Sequence, residues 1–281
     1  MEVLLDGKVV RNAIAAKLSA EIAKLGKKPT LAIIQVGDDE RSSVYIGQKK
    51  IFGEKIGCSV DHVRFASSVP ENEIVGKITE LNRDERVHGI IVQLPLPSGF
   101  DEKKITEAID PKKDVDGLHS ENMRRLEEDR GGGFVPATAK GVLSLLDFYK
   151  ISIKGKKAAV IGRSRLVGRP VALLLAHRGA SVTVCHRGTK DVPAETRKAD
   201  IFVAAAGHPA LVTNDFVRPG QVVIDVGITK RGDKIVGDVD FEAVSGVVSA
   251  ITPVPGGIGP LTVVSLFENL LIAYQEEKGL K

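Results

Sequence analysis

The stretch KAAVIGRSRLVGRP, residues 157–170, decides the fold: a short apolar run ends in a basic turn bounded by Gly162 and Gly168, after which an apolar segment resumes at helical spacing. A buried strand feeding a glycine-containing turn lets backbone amides approach a pyrophosphate, and the helix that follows offers its positive N-terminal end to the same anion. The usual spelling is G-x-G-x-x-G; here Ser164 takes the middle position. The surrounding order supports the reading. A strand over 156–161, a helix over 168–178 ending near Gly179 and a second strand over 180–185 make a dinucleotide-binding βαβ unit.

The second strand runs into Cys185-His186-Arg187, with no acid before Asp191. An NAD site places a carboxylate there to hold the ribose hydroxyls, whereas an NADP site offers a cation. Arg163 and Arg187 are planar, permanently charged forks suited to a 2′-phosphate, so the pattern predicts NADP; the alternative is a pair of ordinary solvated arginines.

Outward from this unit the apolar runs do not alternate. Residues 30–36 and 89–93 therefore read as strands of a parallel sheet buried on both faces, with 59–65 a strand candidate between them, and 201–206 and 222–226, each followed by Gly, as further parallel strands. Helices are expected over about 43–56, capped by Ser42 or Ser43 and stopped at Gly57, then over 71–82, 139–149 and 261–277, the last capped by Thr262. The charged segment before Gly131-Gly132-Gly133 reads as a mobile connection. The fold class is α/β with two domains: a catalytic domain of residues 1–137 and 264–281 and a Rossmann-like dinucleotide-binding domain of residues 138–263.

At 281 residues, 43% apolar and 27% charged, the chain suits two ordinary globular domains. No apolar run reads as membrane-spanning and no leader pattern precedes the first strand, so the expected compartment is the cytoplasm, with no membrane partner. A formal charge of +4 with interspersed acids gives nucleic-acid binding little support and leaves anionic small molecules in play. Cys58 and Cys185 read as reduced core thiols, and no metal cluster is visible.

Four residues stand out for chemistry. Tyr45 and Lys49, four apart, project from one face of the expected helix, so a phenol and an amine can address one substrate; the plain alternative is a Tyr ring packed beside a solvated Lys. Gln93 ends a buried strand before Leu94-Pro95, where an amide either satisfies loop backbone or points at a ligand. In Lys113-Asp114-Val115-Asp116-Gly117, Asp114 reads as a turn cap and Asp116 as an acceptor for the amino groups of a heterocycle; the alternative is Asx-type turn capping by both acids. Residues 251–262, ITPVPGGIGPLT, hold three prolines and three glycines. Such a stiff loop suits close approach to a cofactor or substrate, with Pro255, Gly256 and Gly257 as the substrate-binding candidates; the alternative is a purely structural loop. Ligands in parallel sheets lie off the carboxyl ends of strands, and the cofactor-binding candidates are Gly162, Arg163, Ser164, Val167, Gly168, Arg187, Gly207 and Ile228.

In this order the blocks SSVYIGQKK, GIIVQLPLP, KDVDGLH, GRSRLVGRP, ADIFVAAAG, VVIDVGI, GDVDF and ITPVPGGIGPLT resemble the bifunctional methylenetetrahydrofolate dehydrogenase/methenyltetrahydrofolate cyclohydrolase family over nearly the whole chain. The resemblance implies a two-domain protein whose final helix returns to the first domain, usually a homodimer, with folate in the cleft between domains and NADP as cofactor. It implies further that Lys49 transfers protons in the cyclohydrolase step, Tyr45 stacks on the folate ring, Gln93 positions the lysine, Asp116 binds the pterin amino edge, and the proline-rich loop packs beside folate and nicotinamide. The implied place is in one-carbon metabolism, on the way to purine biosynthesis. Five positions depart from the family pattern. Pro136-Ala137-Thr138-Ala139 stands where Pro-Cys-Thr-Pro is frequent, Ser120 where proline is common, Leu261 where methionine is, and Arg187 where a small polar residue often stands. A rival class, the short-chain alcohol dehydrogenases, carries its Tyr-x-x-x-Lys pair after the cofactor turn rather than before it. A non-enzymatic rival, an NADP-sensing binding protein, leaves the clustering of Tyr45, Lys49, Gln93 and Asp116 without a purpose.

Overall fold

A computed structural model describes residues 3–232 and 234–280. The first half of the chain forms β1 (Val3–Leu4), α1 (Gly7–Ile22), β2 (Thr30–Val36), α2 (Glu40–Ile56), β3 (Ser59–Phe65), α3 (Glu71–Arg83), β4 (Gly89–Val92), α4 (Glu102–Glu107), α5 (Ser120–Glu127) and α6 (Ala137–Phe148). The second half forms β5 (Lys157–Ile161), α7 (Gly168–His177), β6 (Ser181–Cys185), α8 (Val192–Arg197), β7 (Ile201–Ala204), β8 (Val222–Asp225), the antiparallel hairpin β9 (Thr229–Arg231) and β10 (Lys234–Val236), α9 (Phe241–Ser245), β11 (Ala250–Ile251) and α10 (Ile258–Glu277). These elements divide into two units, one of Ala13–Ala137 with Val263–Lys281, the other of Met1–Asn12 with Thr138–Thr262.

The first unit is built on a three-stranded parallel sheet in the order β3-β2-β4. Leu31, Ala32, Ile33 and Ile34 of the central strand are wholly buried, which is why their run shows no alternation. Ile74 and Ile78 of α3 and Ile105 of α4 close over the sheet. From Val263 onward α10 belongs to this unit, and Phe267 lies 5.4 Å ring to ring from Phe52 of α2. Each such side chain, fully removed from water, contributes about 1.5–3 kcal/mol. The chain end thus returns to the first unit.

The second unit carries a six-stranded sheet, all parallel, in the order β1-β11-β8-β7-β5-β6. Its core joins Phe202, Val223, Ile251 and Val244. The start of the chain joins this sheet: Val3 pairs with Ala250 and Leu4 with Ile251. Two residues are too few for a periodicity to announce a strand in the sequence.

Several local expectations change. Asp39, not Ser42 or Ser43, caps α2, its carboxylate accepting from the Ser42 amide at 2.9 Å. Gly57 ends that helix in the left-handed region, at φ 94°. Helix α10 begins at Ile258, so Thr262 lies inside it and back-bonds to the Ile258 carbonyl rather than capping. The segment read as a connection before Gly131 holds α5, laced by ion pairs from Arg124 and Arg125 to Glu121. Helix α10 is also long and apolar enough to cross a membrane, contrary to the reading above; 67% of its apolar window is buried inside the protein, the placement of a core helix.

Candidate active site

In the first unit the candidate residues gather at the carboxyl end of the three-stranded sheet. Helix α2 starts just past β2, and its second and third turns carry Tyr45 and Lys49, both partly buried. Gln93 immediately follows β4, held by its amide to the Ile34 carbonyl at 2.8 Å. The Ile90 amide donates to the Lys113 carbonyl at 2.7 Å and Ile90 bridges Asp114 in parallel register, so the segment leading to Asp116 runs beside β4 toward the same end. Sheet register thereby collects residues 49, 93 and 116.

The Lys49 ammonium donates to Gln93 Oε1 at 2.9 Å, and Gln93 Nε2 donates to the Leu94 carbonyl at 2.8 Å. The amide is fixed at both ends, so its oxygen faces the lysine. Burial lowers the Lys49 pKa, and the nearby Asp116 carboxylate partly opposes that fall. Burial raises the Asp116 pKa, partly opposed by Lys49. Each group sustains the charge of the other in a site that disfavours both.

The turn carrying Asp116 is built with care. Asp114 is buried, and its carboxylate accepts from the His119 amide at 2.7 Å and from Asn122 Nδ2 at 2.9 Å. Burial nonetheless pushes its pKa up to about 7. Gly117 adopts φ 73°, and a Cβ there would press on the backbone of residues 134–136. Asn269 of α10 donates from Nδ2 to the Val115 carbonyl at 2.9 Å and the Val135 carbonyl at 3.0 Å, tying the turn from the other side. Asn269 escaped the reading of the sequence, as did Gln35, which is 1% exposed and links Ser43 Oγ at 3.0 Å to His62 Nε2 at 2.9 Å. A polar amide inside a helix or strand buried on every side was the available signal for both.

In the second unit β5, the turn and α7 form as the opening stretch implies, with β6 pairing alongside β5 from Lys157↔Ser181 to Ile161↔Cys185. Gly162 has φ 110°, and a Cβ there would run into the Ala205 carbonyl; one on Gly168 would run into the Gly162 carbonyl. Both glycines are sterically required. Ser164 Oγ accepts from the Val167 amide at 3.3 Å and the Gly168 amide at 3.4 Å, so the residue replacing the middle glycine closes the first turn of α7, for which Val167 offers no side-chain cap.

Arg163 and Arg187 are exposed. The Arg187 guanidinium lies 3.4 Å from His208 Nε2, beyond Gly207 in the turn after β7. Because β5 sits between β6 and β7, this contact spans the carboxyl end of β5. His208 was not foreseen from sequence. Arg163 also lines, with Arg169, Leu173, Val182 and Val184, a groove of about 410 Å³ between α7 and β6. A helix N-terminus, a glycine turn and two guanidiniums are a donor set that fits the phosphates of a dinucleotide.

Gly207 and Ile228 follow β7 and β8 and are exposed. Pro255, Gly256 and Gly257 also belong to the second unit. The backbone meeting them closely is that of Gly7, whose amide donates to the Gly256 carbonyl at 2.9 Å and whose Cβ, were there one, would collide with the Gly257 carbonyl.

With this geometry in hand, comparison with known proteins is informative. Residues 5–116 match the family described as tetrahydrofolate dehydrogenase/cyclohydrolase, catalytic domain, and residues 136–278 match its NAD(P)-binding domain. The chain is 44% identical over 281 residues to the bifunctional protein FolD of Aquifex aeolicus, covering 99% of this chain and 97% of that one. Among solved structures it is similar to the bifunctional enzyme FolD methylenetetrahydrofolate dehydrogenase/cyclohydrolase from Campylobacter jejuni, with TM-score 0.96 and 42% identity over 98% of this chain and 99% of the other. It is also similar to the Trypanosoma brucei methylenetetrahydrofolate dehydrogenase-cyclohydrolase complexed with NADP cofactor and inhibitor, with TM-score 0.93 and 36% identity over 98% of both chains.

Proposed function

This chain belongs to the tetrahydrofolate dehydrogenase/cyclohydrolase family, and from that premise we propose that it oxidises 5,10-methylenetetrahydrofolate with NADP and hydrolyses the resulting methenyl compound to 10-formyltetrahydrofolate, Lys49 moving the protons of the hydrolysis. The observation that carries the assignment of Lys49 is its 2.9 Å bond to Gln93 Oε1 beside the Asp116 carboxylate.

The two steps ask different things of the chain. In the first, the dinucleotide, when bound, supplies the hydride acceptor, and the folate nitrogens stabilise the cation left behind; the residues present need only hold and align. In the second, water adds to the methenyl carbon and a carbon–nitrogen bond opens, so protons must leave the water and reach the departing nitrogen. An amine brought down from its ordinary pKa by burial can do both, because its two protonation states lie closer in free energy at neutral pH. Gln93 holds the ammonium in one direction between transfers. Asp116 accepts hydrogen bonds from the amino edge of the pterin, and Tyr45, one helical turn before Lys49, stacks on the ring.

NADP rather than NAD is favoured by Arg163 and Arg187 and by the want of a carboxylate where β6 ends. Residues 1–137 and 264–281 are assigned to folate and catalysis and 138–263 to the dinucleotide, with β1 lent to the dinucleotide sheet. The enzyme is placed in the cytoplasm as a homodimer.

Replacing Lys49 by Ala tests the division of labour. With methenyl absorbance and NADPH formation followed separately, cyclohydrolase turnover is expected to fall by about 10²–10⁴-fold and dehydrogenase turnover by much less. A dehydrogenase loss exceeding the cyclohydrolase loss overturns the assignment.

A further inference from the structure

Behind the ends of β7 and β8 lie two buried carboxylates that the chemistry above does not use. Asp225, the last residue of β8, is 3% exposed and Asp238 is wholly buried. Asp225 Oδ1 accepts from the Gly227 amide at 2.9 Å and the Asp238 amide at 3.0 Å, and its Oδ2 accepts from the Val239 amide at 2.9 Å. Its own amide donates to Thr252 Oγ1 at 2.7 Å, at the start of the proline-rich loop. Asp238 Oδ2 accepts from the Ala206 amide at 2.6 Å and the Gly207 amide at 2.9 Å, while its Oδ1 is buried without a hydrogen-bond partner.

Such an arrangement is costly. Two neighbouring carboxylates are withdrawn from water, one with an oxygen unsatisfied, and burial together with Asp238 pushes the Asp225 pKa up to about 6. The surrounding backbone is shaped to admit them: a Cβ on Gly237 would strike Asp225, and one on Gly227 would strike Asp238. What the pair holds is more telling than what it costs. Through five amides and one hydroxyl it ties together the turn after β7, the turn after β8, the hairpin exit at 237–239 and the loop beginning at Thr252. Ala205, one residue before the clamped amides, has its carbonyl against Gly162, so the clamp also supports the phosphate turn. Ligands of parallel sheets lie beyond these strand ends.

Resting on the dinucleotide-binding reading above, we propose that Asp238, anchored by Asp225, is a positioning residue for the cofactor: its carboxylate fixes the Ala206–Gly207 turn, and that of Asp225 the turn at Gly227, in the conformation that receives the dinucleotide. Asp238 touches neither cofactor nor substrate in this account and acts through the backbone it holds.

The test measures NADPH binding by fluorescence titration for wild type, Asp238→Asn and Asp238→Ala, each well below its own thermal midpoint. Asparagine keeps an oxygen acceptor but loses the charge assistance, and alanine removes the acceptor. The Kd is expected to rise about 3-fold for the asparagine variant and at least about 10-fold for the alanine variant. An alanine variant that melts earlier yet binds NADPH as tightly as wild type would show a purely structural role and overturn the proposal, as would any order of losses other than alanine above asparagine above wild type. If the alanine variant does not fold, the asparagine variant decides alone: an unchanged Kd overturns the proposal. Wild type that binds neither NADPH nor NADH would instead sink the dinucleotide reading on which this rests.

Discussion

The Lys49 corner and the Gly162–Gly168 turn solve opposite problems. At the corner, Gln93 and Asp116, 44 and 67 positions from Lys49 along the chain, are brought to it by sheet register and partly buried, and Lys49 and Asp116 are shifted in pKa by burial and by one another. At the turn, the grip is mostly local: seven consecutive residues, backbone held by steric exclusion of Gly168 against Gly162 within the turn and of Gly162 against the Ala205 carbonyl beyond it, and Arg163 left in water. Groups whose protonation must change are desolvated, and groups whose charge must only attract stay solvated. The contrast is between a reagent and a grip.

The sharpest attempt to break this contrast is Gly168→Ala. The added methyl would meet the Gly162 carbonyl, a backbone atom that cannot rotate away, so the turn must open. Dinucleotide affinity is expected to fall at least about 10-fold and stability by about 1–3 kcal/mol, read by titration and thermal melting. Gly76→Ala is the control: a Cβ at this position in α3 meets nothing within 4 Å, so alanine should raise stability by about 1 kcal/mol. A tolerated Gly168→Ala would show that the grip does not depend on its backbone geometry.

Next in size is Arg187→Glu. If the grip works through exposed charge, reversing one charge at the end of β6 should cut the NADP-over-NAD preference in kcat/KM about 10-fold or more, while NAD-linked turnover changes little. An unchanged preference would remove Arg187 from the recognition of the 2′-phosphate.

The two regions also differ in how far their sequences disclose them. Strand, glycine turn and helix are neighbours in the chain, and the required glycines mark themselves, so the βαβ unit was legible to within a residue or two. The buried strands were legible for a similar reason: Leu31–Ile34 is apolar on both faces because both faces are covered. The corner was less so. Spacing places Tyr45 and Lys49 on one helix face, but only the pairing of β4 with β2 and the bridge from Ile90 to Asp114 bring Gln93 and Asp116 there. Without the family resemblance, the lone Tyr-x-x-x-Lys reading would have remained open. Least legible were residues acting through backbone, such as Asn269, Asp225 and Asp238, since a single polar residue in an apolar run gives no hint of which carbonyl or amide it meets. Strand β1 and helix α5 were missed because elements of two and eight residues are too short to establish a period, α5 burying only Met123 and Leu126 as apolar side chains.

The finest test concerns coupling within the corner. Two influences act on the Lys49 amine: burial drives its pKa down, and the Asp116 carboxylate holds it up. Asp116→Asn keeps the volume and much of the polarity but removes the charge, leaving desolvation less opposed. The ammonium then becomes a stronger acid, and the pH above which it is no longer available as a proton donor moves down. The basic limb of the cyclohydrolase kcat profile should therefore shift to lower pH than in wild type, measured at saturating methenyltetrahydrofolate so that weakened pterin binding enters KM rather than kcat. The complementary change, Gln93→Leu, removes a neutral acceptor from the ammonium, and it too should move the limb downward, because a hydrogen bond to the charged form is lost. A reagent embedded in its surroundings must respond to both. A limb that stays in place in both variants would mean that Lys49 titrates independently of its neighbours, and the corner would then be no more integrated than the turn.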